Sequence, residues 1–221
     1  MRTFHIAALA LLSLLLSACS AIVKRDGAVV GPFFTPTNVT NLPKLPAEIR
    51  RVLVLPVWGG PNLTEETLNS FDTVCQTELS RTGKFEVVPL SRQALAEITG
   101  MRQLSSVEKL PATLQKKVFA LQNPYGADAV LFIDVTSYSP YTPLLVGFRV
   151  KLARVTDGEV VWAADNVFSA ADQSVANSAR HHAASLGTDR GRTDFNHTVL
   201  QNPERFAAYV AAATFQQLPP R

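Results

Sequence analysis

The histidines of the C-terminal third are the first residues to consider for chemistry. His181 and His182 are adjacent, so on a helix they point to different sides and do not face one metal ion together. Asp189, Asp194 and His197 follow in a polar loop and would join them only through the folding of that loop. Because zinc sites need ligands that converge on one point, this spacing favours ordinary solvated histidines. We therefore predict no metal site.

The glycine pair in Trp58-Gly59-Gly60-Pro61 follows an apolar run and precedes a helical pattern, as phosphate-binding turns do. The segment lacks both the G-x-G-x-x-G spacing and the Lys-Ser/Thr pair of a P-loop. No serine lies in a G-x-S-x-G elbow. Asp134 stands inside an apolar run, where we expect it to end the buried stretch or accept backbone hydrogen bonds. The sequence predicts no catalytic residue, no cofactor and no enzyme activity.

The segment Ser137–Pro143, which reads SYSPYTP, carries two tyrosines and two prolines. Prolines stiffen an exposed loop, and tyrosine is enriched at protein–protein contacts. Tyr138 and Tyr141 are therefore candidate partner-contact residues. The alternative is that both rings merely cover the edge of a sheet.

The N-terminus has the pattern of an exported, lipid-anchored protein. Met1–His5 carries one positive charge, and Ile6–Leu16 is an apolar core of signal-peptide length, about 7–15 residues. The next residues, LSACS, place Cys19 where a lipobox has its acylated cysteine. Two or three acyl chains, at about 0.8 kcal/mol per buried CH₂, give stable anchoring. The alternative is an ordinary secretory signal cut after Ala21.

The residue after Cys19 is serine rather than the aspartate that retains many lipoproteins in the inner membrane. We therefore expect an outer-membrane anchor with the domain facing the periplasm. The expected organisation is a signal peptide at 1–18, a lipidated flexible tether at 19–47 and a single domain at 48–221. Some tether residues are more apolar than a linker needs, and they would pack back onto the domain or contact a partner: Val29, Val30, Phe33 and Phe34.

Composition limits the remaining function classes. The chain has a net charge of +3 and is 47% hydrophobic, enough to bury a core. No basic stretch interleaves with aromatics, so nucleic acid is not a predicted partner. Cys75 is the other cysteine, which leaves no internal disulfide once Cys19 is acylated. Cys75 lies on the apolar face of a predicted helix and is expected to be a small core residue.

The hydrophobic pattern predicts one α/β domain. Short apolar runs and alternating segments predict strands at 51–57, 85–88, 129–135, 144–155 and 159–169, the last two joined by an Asp157-Gly158 hairpin turn. Apolar residues at three- and four-residue steps, together with capping residues, predict helices at 64–81, 92–98, 111–122, 171–186 and 203–218. This order indicates a mixed-sheet sandwich with helices packed on the sheet, parallel leading strands and a late antiparallel hairpin.

Several ordered phrases resemble the CsgG/LpoB group of envelope lipoproteins. They are RVLVLP at 51–56, FEVVPLSRQAL at 85–95, YGADAVLFI at 125–133 and FRVKLARVTDGEVVW at 148–162. The resemblance spans about Arg51 to Ser169 and implies the fold of that group. It also implies two different functions: a subunit of a curli-export channel, or an activator that docks on a penicillin-binding protein.

The sequence disfavours the channel. A membrane-spanning barrel strand needs about 9–11 residues, whereas residues 98–125 read as helices and Ser137–Pro143 is too short. We expect a non-catalytic binding, assembly or regulatory factor whose partner is another envelope protein, either a peptidoglycan synthase or a subunit of an assembly or secretion complex. The alternative is a homo-oligomeric subunit of a CsgG-like secretion ring or channel.

Overall fold

The computed structural model describes residues 27–61, 63–118, 124–186 and 198–221. Within them the strands are β1 (Val39–Asn41), β2 (Arg51–Val54), β3 (Glu86–Pro89), β4 (Ala129–Ser139), β5 (Leu145–Arg154) and β6 (Val160–Ser169). The helices are α1 (Gly27–Val30), α2 (Glu65–Arg81), α3 (Arg92–Thr99), α4 (Ala112–Val118), α5 (Gln173–Ser185) and α6 (Pro203–Phe215). The predicted signal peptide and Cys19 lie outside these residues.

The strands form one mixed sheet in the order β1-β6-β5-β4-β2-β3. The leading strands are parallel, since β2 pairs in parallel with both β3 and β4. β5 pairs antiparallel with β4 and with β6, and β1 pairs antiparallel with β6. The predicted α/β class, with a mixed sheet, a late hairpin and helices packed on the sheet, is confirmed.

Alternation along the strands divides the core into two layers, because successive side chains point to opposite faces. On the first face, Val52 and Val54 pack with residues of α2, α5 and α6. On the second face, Leu53 and Leu55 pack with residues of α3 and α4. The second layer is the smaller one, and it leaves part of β5 and β6 open; Val167 on β6 is exposed.

Local sequence signals set the limits of the helices that follow the parallel strands. Thr64 caps α2, its hydroxyl accepting a hydrogen bond from the Thr67 N–H at 3.2 Å. Ser91 caps α3 in the same way through the Ala94 N–H at 3.1 Å. The helix α3 ends at Gly100, whose φ of 78° is favourable for glycine and for few other residues.

The sequence predicts a flexible tether at 19–47, but the described part of it, residues 27–47, is not a free tether. Residues 27–47 pack on the domain: β1 adds a strand to the sheet beside β6, and α1 packs on α5. Phe34 contacts Phe168 edge to face, with ring centroids 5.0 Å apart. Leu45 is buried and its N–H donates to the Pro220 carbonyl at 2.8 Å. This segment packs on the domain because some of its apolar side chains, such as Phe34 and Leu45, gain contacts there.

The strand β4 is longer than the apolar run alone predicts. It continues through Ser137, Tyr138 and Ser139 after a register irregularity between Val135 and Ser137. Part of the segment expected to be a loop is therefore strand, paired with β5. None of the described helices has the length and apolar character needed to cross a membrane.

Candidate interaction surface

The two candidate contact tyrosines have different environments. Tyr141 lies at the turn between β4 and β5 with 80% of its surface exposed. Tyr138 lies in β4 and packs edge to face on Phe71 of α2, with ring centroids 5.3 Å apart. Burial raises the pKa of the Tyr138 hydroxyl above its ordinary value. The structure therefore assigns Tyr138 to the margin of the core and leaves Tyr141 facing outward.

A groove of about 350 Å³ lies beside Tyr138, between the first turns of α2 and α6. Phe71 and Ala207 are buried residues that line it. Glu66 and Glu204 stand on its rim, and no basic side chain is found among the described residues that line it. The groove joins an apolar floor to a negative rim. This chemistry suits a basic, partly apolar peptide segment.

Asp134 is fully buried and binds the segment that follows α3. Its carboxylate accepts hydrogen bonds from the Ser105 hydroxyl at 2.8 Å and from the Ser106 hydroxyl at 2.7 Å and N–H at 2.8 Å. Lys151 donates to the Ser106 carbonyl, and its Nζ lies over the Phe132 ring at 4.4 Å from the centroid. The carboxylate thus holds a loop on the sheet. It accepts a backbone hydrogen bond, as the sequence led us to expect.

The Gly59-Gly60 turn serves packing. A Cβ atom on Gly59 would lie 2.5 Å from a methyl of Leu68 and 2.6 Å from one of Leu63. The Gly59 N–H donates to the Gln103 side chain at 3.2 Å. The lack of space beside Leu68 therefore explains a glycine here on steric grounds.

An ion pair between a buried arginine and a partly buried aspartate joins α2 to α3 next to this turn. An Arg92 Nη atom lies 2.9 Å from the Asp72 carboxylate and also donates to the Val57 carbonyl at 2.9 Å. Burial raises the pKa of Asp72, while the Val57 N–H and the Arg92 guanidinium act in the opposite direction. The pair cross-links α2, α3 and the segment that follows β2. Sequence patterns did not single out Arg92, because its partners are remote along the chain.

His181 and His182 point in different directions on α5. The His181 Nδ1 lies 3.0 Å from the Ala28 carbonyl oxygen, whereas the His182 ring faces Tyr209 with centroids 6.0 Å apart. Burial, with the nearby Arg81 and His181, lowers the pKa of His182. The described residues hold no cluster of three or more side chains suited to a metal ion. Asp189, Asp194 and His197 lie outside them.

Cys75 is buried on the inner face of α2 and carries a free thiol. Burial, with the negative charges of Asp72 and Glu78, raises the pKa of this thiol well above its ordinary range. The nucleophilic thiolate is therefore suppressed. This environment matches the expected role of a small core residue.

No family model matches the chain, and no curated protein matches it. Among solved structures it is similar to the PelC dodecamer from Paraburkholderia phytofirmans, at 17% identity and a TM-score of 0.46, covering 83% of this chain and 96% of that one. Lipoprotein GNA1162 from Neisseria meningitidis matches at 16% identity and a TM-score of 0.42, over 68% and 92% of the chains.

The LpoB C-terminal domain from Salmonella enterica matches at 19% identity and a TM-score of 0.34, over 54% of this chain and 82% of that one. LpoB belongs to the group that the sequence phrases resemble. At these identities and TM-scores, the three similarities carry no argument about function.

Proposed function

We propose that this protein is an outer-membrane lipoprotein whose domain binds another envelope protein without catalysis. The observation that carries the contact is Tyr141, exposed over 80% of its surface at the turn between two strands. Its backbone is confined by Pro140, Pro143 and the flanking strands. Because the backbone at Tyr141 is already confined, binding there orders little more than the side chain itself, so Tyr141 is an effective contact residue.

The groove beside Tyr138 supplies the rest of the proposed contact surface. Glu66 and Glu204 give its rim negative charge above the apolar floor that Phe71 provides. Charge complementarity sets partner choice and register more than affinity. We therefore expect the partner to present a basic segment, from a peptidoglycan synthase or from a subunit of an assembly or secretion complex.

The proposed anchor rests on the sequence. The apolar core at 6–16 and the LSACS phrase favour acylation of Cys19, and Ser20 favours sorting to the outer membrane. A non-catalytic role is consistent with the buried carboxylate Asp134 and the partly buried carboxylate Asp72, which each have structural partners. In this proposal the protein acts through its place at the outer membrane and its contact with a partner protein.

Site-specific photo-cross-linking in cells tests the contact. A photoreactive phenylalanine replaces Tyr141 in one strain and Val107 in the control; Val107 is 71% exposed but lies beside the second face of the sheet. We expect a discrete adduct with one envelope protein at position 141 and none at 107. The adduct is expected to weaken when Glu66→Lys and Glu204→Lys reverse the rim charge. Equal labelling at both positions, or none at 141, contradicts the proposal.

A ring subunit is the second candidate, and the open part of the second sheet face favours it. Val167 is exposed there, next to the cross-strand ion pair of Arg149 and Asp165. Two copies that covered this strip would bury apolar surface that the monomer leaves in water. Sedimentation velocity of the purified protein separates the candidates, since a large closed species favours the ring and a monomer favours the binding factor.

A further inference from the structure

Three apolar side chains of the N-terminal segment face solvent close together in the chain. Val29 is 72% exposed, Val30 54% and Phe33 44%. Single exposed apolar residues are ordinary on protein surfaces, but a cluster of them marks a contact with a partner or a membrane. These three stand within five consecutive residues, next to the exposed Pro32.

The backbone that presents them is fixed to α5. The Asn177 side-chain amide donates to the Pro32 carbonyl at 3.1 Å, and Asn177 is itself 1% exposed. The Phe34 N–H donates to the Ser178 hydroxyl at 2.8 Å. A Cβ atom on Gly27 would lie 2.6 Å from the Asn177 Oδ1, so the segment is in close contact from its first described residue. The backbone that carries the exposed side chains is therefore held at one place on the domain.

Chain length places this surface near the predicted anchor. Residues 20–26 separate Cys19 from Gly27, a path that spans about 29 Å at full extension. A flexible chain of that length has a root-mean-square span of about 16 Å. A domain of this size has a radius of gyration of roughly 16 Å, so the reach is smaller than the domain's own diameter. The side of the domain that carries α1 must then be the side nearest the acylated cysteine.

We propose that Val29, Val30 and Phe33 rest in the interfacial region of the lipid bilayer that holds Cys19. This inference depends on the proposed lipidation. Valine and phenylalanine side chains gain free energy on leaving water, and the interface accepts apolar groups to a depth of about 5–10 Å. The consequence is a domain held against the membrane with one orientation, instead of a domain that searches the periplasm on a long tether.

The test uses the full-length protein purified from its membrane and reconstituted in phospholipid vesicles with bromine atoms near the headgroups. Three proteins are compared: the parent, Val30→Trp and Val107→Trp, both substitutions being at exposed valines. We expect the tryptophan at position 30 to lose fluorescence in brominated vesicles relative to plain ones. The parent, with its two native tryptophans, and the variant at position 107 are expected to lose none beyond background.

A mass spectrum of each protein keeps the two hypotheses apart. A chain without acyl groups contradicts the proposed lipidation and removes the basis for the membrane contact. An acylated chain whose tryptophan at position 30 is quenched no more than the one at 107 overturns the membrane contact alone. Quenching at both positions to the same extent also overturns it, because it shows no preferred orientation.

Discussion

Asn38 and Asn166 hold the N-terminal segment to the sheet through a reciprocal pair of hydrogen bonds. The Asn38 N–H donates to the Asn166 Oδ1 at 3.2 Å, and the Asn166 amide donates back to the Asn38 carbonyl at 3.1 Å. Asn166 is buried on β6, and Asn38 is the residue directly before β1. The Asn166 side chain thus bonds both the N–H and the carbonyl of Asn38.

Replacing Asn166 with alanine removes both bonds. We expect a loss of about 1–2 kcal/mol in the free energy of unfolding, and faster amide exchange for residues 38–42 than in the parent. Asn38→Ala is the matched control, since its side chain makes an exposed bond to the Asp165 carbonyl, and we expect a smaller effect. Unchanged exchange at 38–42 in Asn166→Ala would show that β1 pairing alone holds the segment.

Much of this fold is predictable because its signals are local. The helix α2 has apolar residues on one face, a threonine cap and a following glycine. The β5–β6 hairpin has two alternating segments on either side of Asp157-Gly158, and one register shift close to the turn. The strand β1 lacks such a signal. It is three residues long, and its pairing partners lie at 162–164, more than a hundred residues away.

The candidate surface was predictable only in part, for the same reason. The prolines around Tyr141 indicate an exposed turn, and the structure leaves that ring outward. Tyr138 is covered by Phe71, which belongs to a helix far back in the sequence. The negative groove is likewise invisible in the sequence, because Glu66 and Glu204 meet only when α2 and α6 pack together.

Tyr209 should make stability depend on pH in the alkaline range. Burial raises the pKa of its hydroxyl to about 12 from an ordinary value of 10.0. Between these values the unfolded chain releases the proton while the folded chain keeps it, so stability falls as pH rises. The free energy of unfolding should therefore fall between pH 9 and 11, and we expect Tyr209→Phe to remove about 1 kcal/mol of that fall. Urea unfolding at both pH values measures it, and equal declines would contradict the assignment.

Cys75 should resist alkylation in the folded protein. It is 1% exposed and its thiol has a raised pKa, so both access and thiolate formation are limited. We expect labelling by a thiol reagent only as fast as the protein opens, with stoichiometric reaction in denaturant. Rapid labelling without denaturant would show that α2 opens separately from the rest of the fold. Cys75→Ala serves as the control for labelling elsewhere.

Removal of the Asp134 carboxylate should destabilise the fold around the loop at 105–106. Asp134→Ala leaves buried donors of Ser105 and Ser106 without their acceptor, and we expect a loss of about 3 kcal/mol or more. Asp134→Asn keeps an acceptor oxygen and is expected to cost less. Thermal unfolding and amide exchange at residues 101–110 are the measurements. Equal stability of the parent and Asp134→Ala would mean that the carboxylate has no structural role.

The two tyrosines of the candidate surface should separate stability from binding. Tyr138→Ala removes the ring that packs on Phe71, so we expect it to lower the free energy of unfolding by about 2–4 kcal/mol. Tyr141→Ala removes a ring that is mostly in water, so we expect a change within about 0.5 kcal/mol. Binding should depend on the other tyrosine. We expect Tyr141→Ala to keep a stable fold and to weaken association with the cross-linked partner. Denaturant titration and a pull-down with that partner measure both effects, and undiminished binding by Tyr141→Ala would exclude the exposed ring as the contact.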